Sequence, residues 1–476
     1  MTDSAHPVSP LDPDTASRLA AAVQDGFAAT VADLSALVRV PSVSWDAFDP
    51  AHVRTSAEAV AALVESTGLF ETVRISSAPV AEGGPQGQPA VLASRPAAPG
   101  APTVLLYAHH DVQPPGPDSA WETPPFEPTV RGDRLYGRGA SDDKAGVVSH
   151  VAALRAVREV LGDDLGVGVS LFVEGEEEFG SKSFASFLQQ HRDDLAADVI
   201  VVADSDNWST TVPAITVSLR GNVTFRLTVR TLAHASHSAL LGGAAPDAML
   251  AAIRLLATLH GPDGSVAVEG MTSRDADHPE RSEEQFRDEA GLLDGVEPIG
   301  HGPLLSRTWS QPTVTVTGID APAVTEASNT LLPEVSVRIS ARVAPGQTAA
   351  SAHAALEAHL HAHAPFGAHV EITEVDLGDP FLVDTSGWAV AEATAAMTEA
   401  WGTAPVQTGI GGSIPFVADL VETFPEAQIL VTGVEDPDTR AHSPNESQHL
   451  GVLRRAVLSE ALLLARLDAR PRTGRD

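Results

Sequence analysis

"TVLLYAHHDV", residues 103 to 112, places two histidines and an aspartate directly behind an uninterrupted apolar run. The run from Thr103 to Ala108 has the continuous apolarity of a strand covered on both faces, the arrangement of a parallel sheet with helices on each side. His109, His110 and Asp111 then fall at its carboxyl end, and Pro114, Pro115 and Gly116 end regular pairing just beyond. A polar turn at a strand end is ordinary by itself. The meaning of these three residues depends on the residues at the ends of the other strands.

Working outward, "TASRLAAAVQDGFAATVADLSALVRV" carries apolar residues at three- and four-residue spacing and stops at Pro41, which predicts a helix. After "TVLLYA" come a helical "AGVVSHVAALRAVREVL", a strand "GVSLFVEG", a helical "KSFASFLQQHRDDL" and a strand "DVIVVAD". The alternation predicts an α/β fold, a mixed or parallel sheet flanked by helices. From about Val217 the order becomes strand, helix, strand, strand, helix, strand, from "NVTFRLTVR" to "HVEITEVDL", which reads as an inserted α+β domain of βαββαβ order. The tail returns to "VAEATAAMTEAW", "AQILVTGV" and "LGVLRRAVLSEALLLARL". The expected organisation is a first domain split into residues 1–214 and 378–476 around an insertion at 215–377.

Composition narrows the chemistry. The 476 residues contain no cysteine, so thiolate metal sites, disulfides and a cysteine nucleophile are excluded, and any metal must have nitrogen and oxygen ligands. With 30 Lys+Arg against 63 Asp+Glu the net charge is −33, which disfavours nucleic acid and anionic membranes as partners. No apolar run is long enough to span a bilayer, and "MTDSAHPVSPLDPD" lacks the basic start and apolar centre of a secretory signal, so a cytoplasmic location is expected.

The other strands repeat the opening pattern. "GRGASDDK" at 137–144, "EGEEEFGS" at 174–181, "ADSDNW" at 203–208 and "AHSPNES" at 441–447 each bring carboxylates or a histidine to a place where α/β sheets hold active sites. Such a set suits a pair of divalent ions about 3.5–4 Å apart, which needs a bridging carboxylate and a few terminal His, Asp or Glu ligands. A further carboxylate that is not a ligand must then take and return a proton, and the adjacent glutamates of "EEEF" can supply one of each.

These motifs resemble those of the co-catalytic zinc aminopeptidase-like enzymes, the group of carnosine dipeptidases, acetylornithine deacetylase and succinyl-diaminopimelate desuccinylase. The resemblance spans nearly the whole chain. It implies a zinc aminopeptidase-like fold whose inserted domain serves as lid and dimerisation domain. It makes His109 a metal ligand and Asp111 the carboxylate that orients it, with His110 a spacer. "GRGASDDK" makes Asp142 the bridging ligand and implies a cis Asp142–Asp143 peptide. "EEFGS" makes Glu177 the general base and Glu178 a ligand. Asp204, with Asp206 as a competitor two residues away, and His442 complete the set, so that His109 and Asp204 hold one metal, Glu178 and His442 the other, and Asp142 both. In the insertion the resemblance nominates His237 as the donor to the developing oxyanion, acting in the neighbouring subunit of a homodimer. Asn329 and Arg342 are nominated for substrate oxygens or carboxylate, and Gly411, Gly412 and Ser413 of "GGSIP" for the substrate's C-terminal end.

The implied activity is metal-dependent hydrolysis of a peptide-type amide in a small substrate, a dipeptidase first and an N-acyl amino acid deacylase as the alternative. Two divalent ions are implied, zinc expected and manganese or cobalt admissible. The chain departs from carnosine-type dipeptidases at "GIGGSIP", where Gly409 and Ile410 replace an arginine and a carboxylate. Three further signals are set aside. His359 and His363, four apart in "EAHLHAHAPFGAH", are expected on a solvated helix face. His234 and His449 are set aside in the same way. "RDADHPERSEEQFRDEAG" is too charged to bury and is expected at the surface.

Overall fold

The computed structural model describes residues 8–276, 278–411 and 415–471. The main elements along the chain are α1 (Pro13–Val38), α2 (Pro50–Glu65), β1 (Val73–Ser76), β2 (Ala90–Arg95), β3 (Thr103–His109), α3 (Lys144–Leu161) and β4 (Gly168–Glu174). Next come α4 (Phe184–Gln190), β5 (Val199–Val202), β6 (Ala214–Leu219), β7 (Gly221–Arg230), α5 (Ala248–Leu256), α6 (Glu283–Ala290), β8 (Thr313–Asp320) and β9 (Glu334–Val343). The chain closes with α7 (Ala349–Ala362), β10 (His369–Gly378), α8 (Trp388–Trp401), β11 (Val406–Ile410), β12 (Gln428–Thr432) and α9 (Leu450–Asp468).

Two compact units result. One comprises the residues up to Val217, Val383–Thr408 and the residues from Asp419; the other comprises Ser218–Leu382 with a short segment beginning at Gly409. The first changeover falls inside β6, three residues beyond the expected boundary at 214/215, because that strand runs through the expected boundary unbroken. The second falls at Leu382/Val383, beyond the expected 377/378.

The first unit is built on a mixed sheet in the order β1-β2-β4-β3-β5-β12-β6, with β11 also paired to β6. Its centre is parallel: β3 pairs in parallel with β4 and β5, and β12 with β5, whereas β2 and β6 join antiparallel at the flanks. All seven residues of β4 and all four of β5 are buried, as continuous apolar runs in a sheet covered on both faces require. Helices α1, α3, α8 and α9 pack on one another, and α2 packs on β1 and β2. Parallel strands share a direction, so the carboxyl ends of β3, β4, β5 and β12 open at one edge of the sheet. This is why polar motifs scattered over the sequence can meet.

The second unit is an antiparallel sheet in the order β8-β9-β7-β10. Val223, Phe225, Leu227 and Val229 of β7 and Val335, Val337, Ile339, Ala341 and Val343 of β9 are buried at every second position against α5 and α7. The βαββαβ order read from the sequence is present, with α6 added between α5 and β8. One expectation is corrected by the fold. His359 is not on a solvated face: it is buried, its Nε2 lies 2.9 Å from Thr258 Oγ1, and its ring stacks on His363 at 4.0 Å. The acidic stretch is exposed as expected, but part of it forms α6, started by a capping box between Ser282 and Gln285. Among the described residues, no helix is long and apolar enough to cross a membrane.

Candidate metal centre and active site

β3 delivers His109 fully buried at the sheet edge. Its Nε2 lies 3.1 Å from Asp142 Oδ1, and 3.9 Å from both Glu177 Oε2 and Asp204 Oδ1. On the far side of the ring, Nδ1 lies 3.1 Å from the Asp111 carbonyl and 3.4 Å from its Oδ1. The Asp111 carboxylate does more than face the ring. It accepts from Ser44 Oγ at 2.7 Å and from the backbone N–H groups of Glu177 and Glu178, each at 3.1 Å, so it ties the turn after β4 to the end of β3.

His442 closes the other side, its Nε2 2.9 Å from Asp142 Oδ2 and 3.3 Å from Glu178 Oε2. Glu178 in turn accepts from Gln113, at 3.1 Å from the backbone N–H and 2.7 Å from Nε2. The Asp142–Asp143 peptide bond is cis. Asp143 is fully buried, accepts from the N–H of His109 and of Gly146 at 3.1 Å each, and caps α3. His110 points away from this cluster; its Nε2 meets the Pro89 carbonyl at 2.9 Å, and burial holds it down near pKa 4.

A cluster so rich in carboxylates needs positive charge. Burial, with the neighbouring charge of Asp142, pushes Glu178 up to about 7; burial pushes Asp204 up to about 6 against the pull of His109; burial also raises Glu177 well above the usual carboxylate range. Burial opposes ionisation of Asp142 too, but hydrogen bonds to His109 and His442 outweigh it and hold it low. Hydrogen bonds to Asp142 and Glu178 push His442 up to about 11. Buried carboxyl groups whose ionisation is opposed chiefly by burial suit a hard or borderline divalent cation, which removes that cost by binding. Two groups have ligand atoms within 4.8 Å of one another: His109 with Asp142 and Glu178, and His109 with Asp143 and Asp204. The residues present therefore fit a metal centre. Asp206, the competitor of Asp204, belongs to neither group and is exposed.

One organising residue is not singled out by its motif. Glu446 is fully buried; its Oε2 accepts from Arg138 at 2.6 Å and from the Gly139 N–H at 3.1 Å, and its Oε1 from the N–H groups of Ser141 and Asp142 at 3.0 and 3.2 Å. It thereby binds the loop that carries Asp142 to the loop that carries His442.

In the insertion, His237 is exposed, pairs with Thr330 in a short antiparallel ladder, and accepts the Ala239 N–H through Nδ1 at 3.1 Å. Ser238 donates to the Asn329 carbonyl through both N–H and Oγ at 2.9 Å, so His237 and Asn329 sit on adjoining segments. Arg342 lies on β9 opposite Asn222 and Thr313. Arg220, missed in the sequence, donates from Nε to the Gly411 carbonyl at 3.1 Å and anchors that loop. Gly412 and Ser413 lie outside the described residues.

Residues 105–466, more than half of the chain, match Peptidase family M20/M25/M40. The chain belongs to that family and is a metal-dependent peptidase. Within the family it falls with the dipeptidases. It is 35% identical over 369 residues to the cysteinylglycine-S-conjugate dipeptidase of Corynebacterium striatum, covering 76% of this chain and 81% of the relative. It is 27% identical over 389 residues to the Beta-Ala-His dipeptidase of Rattus norvegicus, covering 76% and 77%. Its fold is similar to that of the dipeptidase Dug1p from Saccharomyces cerevisiae, with a TM-score of 0.78 at 20% identity over 96% of this chain and 99% of that one. Human carnosine dipeptidase 1 gives a TM-score of 0.75 at 22% identity, with the same coverage.

Proposed function

We propose that the protein hydrolyses dipeptides with two divalent metal ions, zinc expected, held by His109, Asp142, Glu178, Asp204 and His442, and with Glu177 as general base. The observation that carries this reading is the convergence of those side chains, with Glu177 3.9 Å from His109 Nε2 yet in neither metal-holding group. When bound, the metals supply an acidified water and a polarised scissile carbonyl. Glu177 takes the proton from the attacking water. It then returns that proton to the leaving amine, one carboxylate serving as base and then acid. Its raised proton affinity, caused first by burial, suits a group that must take up a proton. Asp111 holds the His109 ring and the Glu177–Glu178 turn in one frame.

The reading extends to the insertion. His237 donates to the developing oxyanion in the site of a partner subunit, while Asn329, Arg342, Gly411, Gly412 and Ser413 receive substrate oxygens and the C-terminal carboxylate. A homodimer formed through the insertion is supported by β8, an edge strand of its sheet that exposes Val316 and Ile319.

The test is hydrolysis of free dipeptides beside N-acetyl and N-succinyl amino acids by metal-stripped protein reloaded with zinc, manganese or cobalt. Metal-dependent dipeptide cleavage that is lost in Glu177→Gln supports the proposal. Cleavage of the acyl substrates alone replaces it with a deacylase.

A further inference from the structure

The segments after β5 and β12 continue side by side beyond the regular strands. Asp206 pairs with Glu435 in a parallel bridge; the Asn207 N–H reaches the Glu435 carbonyl at 3.0 Å, and Asn207 Nδ2 donates to the carbonyls of Gly433 and Glu435, both at 2.9 Å. A Cβ at Gly433 would lie 1.9 Å from the Ser205 carbonyl oxygen, so glycine is what allows this approach. Residues paired in a parallel bridge present their side chains to the same face, which puts the carboxyl groups of Asp206 and Glu435 together, two residues beyond Asp204.

The two carboxylates differ from the rest of the acidic cluster in having no compensation. Glu446 faces Arg138 and backbone N–H groups, Asp436 faces Arg134, Asp111 accepts from Ser44 and two N–H groups, and Asp143 accepts from two more. Asp142, Glu178 and Asp204 are the metal-holding groups. Among the described residues, no hydrogen bond or ion pair reaches the side chain of Asp206 or Glu435, and Glu435, only 8% exposed, has its Oε1 buried without a partner. Asp206 is open to solvent. A buried acceptor of this kind calls for a cationic partner, and the accessible Asp206 beside it gives that partner a way in.

The α-amine of a dipeptide is one carbon removed from the scissile carbonyl carbon. A carbonyl seated at the His109–Asp204 cluster therefore carries its ammonium two bonds away, in the immediate surroundings of that cluster, and Asp206 stands two residues beyond Asp204, roughly 7 Å of extended chain. We propose that Asp206 and Glu435 form the subsite that receives the protonated α-amine of the substrate, an inference that rests on the peptidase reading. The pair makes a free amino terminus a requirement for tight binding and sets dipeptides apart from N-acyl amino acids at the same metal centre.

Alanylglycine and its desamino analogue propionylglycine differ only in the ammonium group. Metal-loaded protein is assayed with both, alongside Asp206→Asn and Glu435→Gln, and metal content is measured in each. A charge-assisted hydrogen bond corresponds to about 10- to 100-fold in affinity, so each variant is expected to shrink the preference for alanylglycine over propionylglycine by that factor, chiefly through KM, with metal content retained. The same ratio is also read as calorimetric binding of both compounds to metal-loaded Glu177→Gln protein, which needs no turnover. A ratio unchanged in both variants, or an equal fall for both compounds, overturns the subsite. Absence of hydrolysis by the parent protein alongside Asp206-dependent preference for the amine in calorimetry would instead remove the dipeptidase reading and leave the subsite standing.

Discussion

Replacing Glu446 by glutamine tests whether one buried carboxylate assembles the metal centre from two distant loops. The carboxylate serves four donors, two on each oxygen. A glutamine keeps one oxygen, and the best use of it is to stay on Arg138 and the Gly139 N–H, since an unpaired buried arginine is the costlier outcome. Its amide NH2 then faces the N–H groups of Ser141 and Asp142, donor against donor. Leaving two buried N–H groups unsatisfied costs about 1–3 kcal/mol each, so about 2–6 kcal/mol in total. The unit that contains the site has roughly 300 residues. At about 2.1 cal/mol/K per residue its unfolding entropy makes that loss worth about 3–10 °C in Tm. Because the Asp142 N–H is one of the two, the carboxylate of Asp142 should shift, and metal affinity should fall by about 10- to 100-fold, as for other residues that hold ligands in place. Thermal unfolding of the metal-free protein and metal competition against a chelator measure the two effects separately. A Glu446→Gln variant with unchanged Tm and unchanged affinity would show that the four contacts do not organise the centre.

Glu177→Gln should lower kcat by about 10²- to 10⁴-fold with metal content retained; near-normal turnover would take the base role from Glu177. If His237 serves a partner's site, His237→Ala and Glu177→Gln proteins, each nearly inactive, should regain activity when mixed and allowed to exchange subunits; no recovery, with light scattering showing a monomer, would refute the shared site. Glu174 provides a pH test. Burial, with the charges of Asp111 and Glu176, outweighs its hydrogen bonds from Tyr107 and Ser181 and raises it from 4.5 to about 8. The folded protein therefore binds a proton at Glu174 that the unfolded chain releases, so the stability this group contributes is fully present below about pH 4.5 and is lost toward pH 8 by up to ~1.4 kcal/mol per unit. Denaturant midpoints across that range should be flatter in Glu174→Gln than in the parent, and parallel profiles would show that Glu174 does not carry the slope.

Three of the places that meet at the centre were legible because they stand at or just after the end of an apolar run, where chain direction alone carries them to the sheet edge. His109 after "TVLLYA", the glutamates after "GVSLFV" and Asp204 after "VIVVA" share that logic. The supports were not legible in the same way. Glu446 reaches Ser141 across 305 residues, and Ser44 reaches Asp111 across 67, so neither contact follows from local pattern. Asp143 reads as one of two equivalent aspartates until the fold turns it onto the His109 N–H and the first turn of α3. The burial of His359 was concealed by its histidine-rich helix. It lies one position from the buried Leu360 and three from Leu356, and Thr258 supplies the polar partner that makes burial tolerable. The capping signal of α6, "SEEQ", stood in the sequence, but the density of charge around it pointed only to exposure.

Charge links the fold to the choice of substrate. A sheet that gathers Asp142, Glu177, Glu178 and Asp204 at one edge buries carboxyl groups close together; burial first, and the charge of Asp142 with it, pushes Glu178 up to about 7 and Asp204 up to about 6. Metal ions held by those ligands would offset their charge and leave Asp206 and Glu435, outside both groups, without a cationic partner of their own. The two demands are then separable. The metal set is met by a divalent cation whatever the substrate, whereas the neighbouring pair is met only by a substrate that brings its own positive charge. Exchanging zinc for manganese should therefore change the rate for alanylglycine and propionylglycine together, while a change at Asp206 should alter the ratio between them.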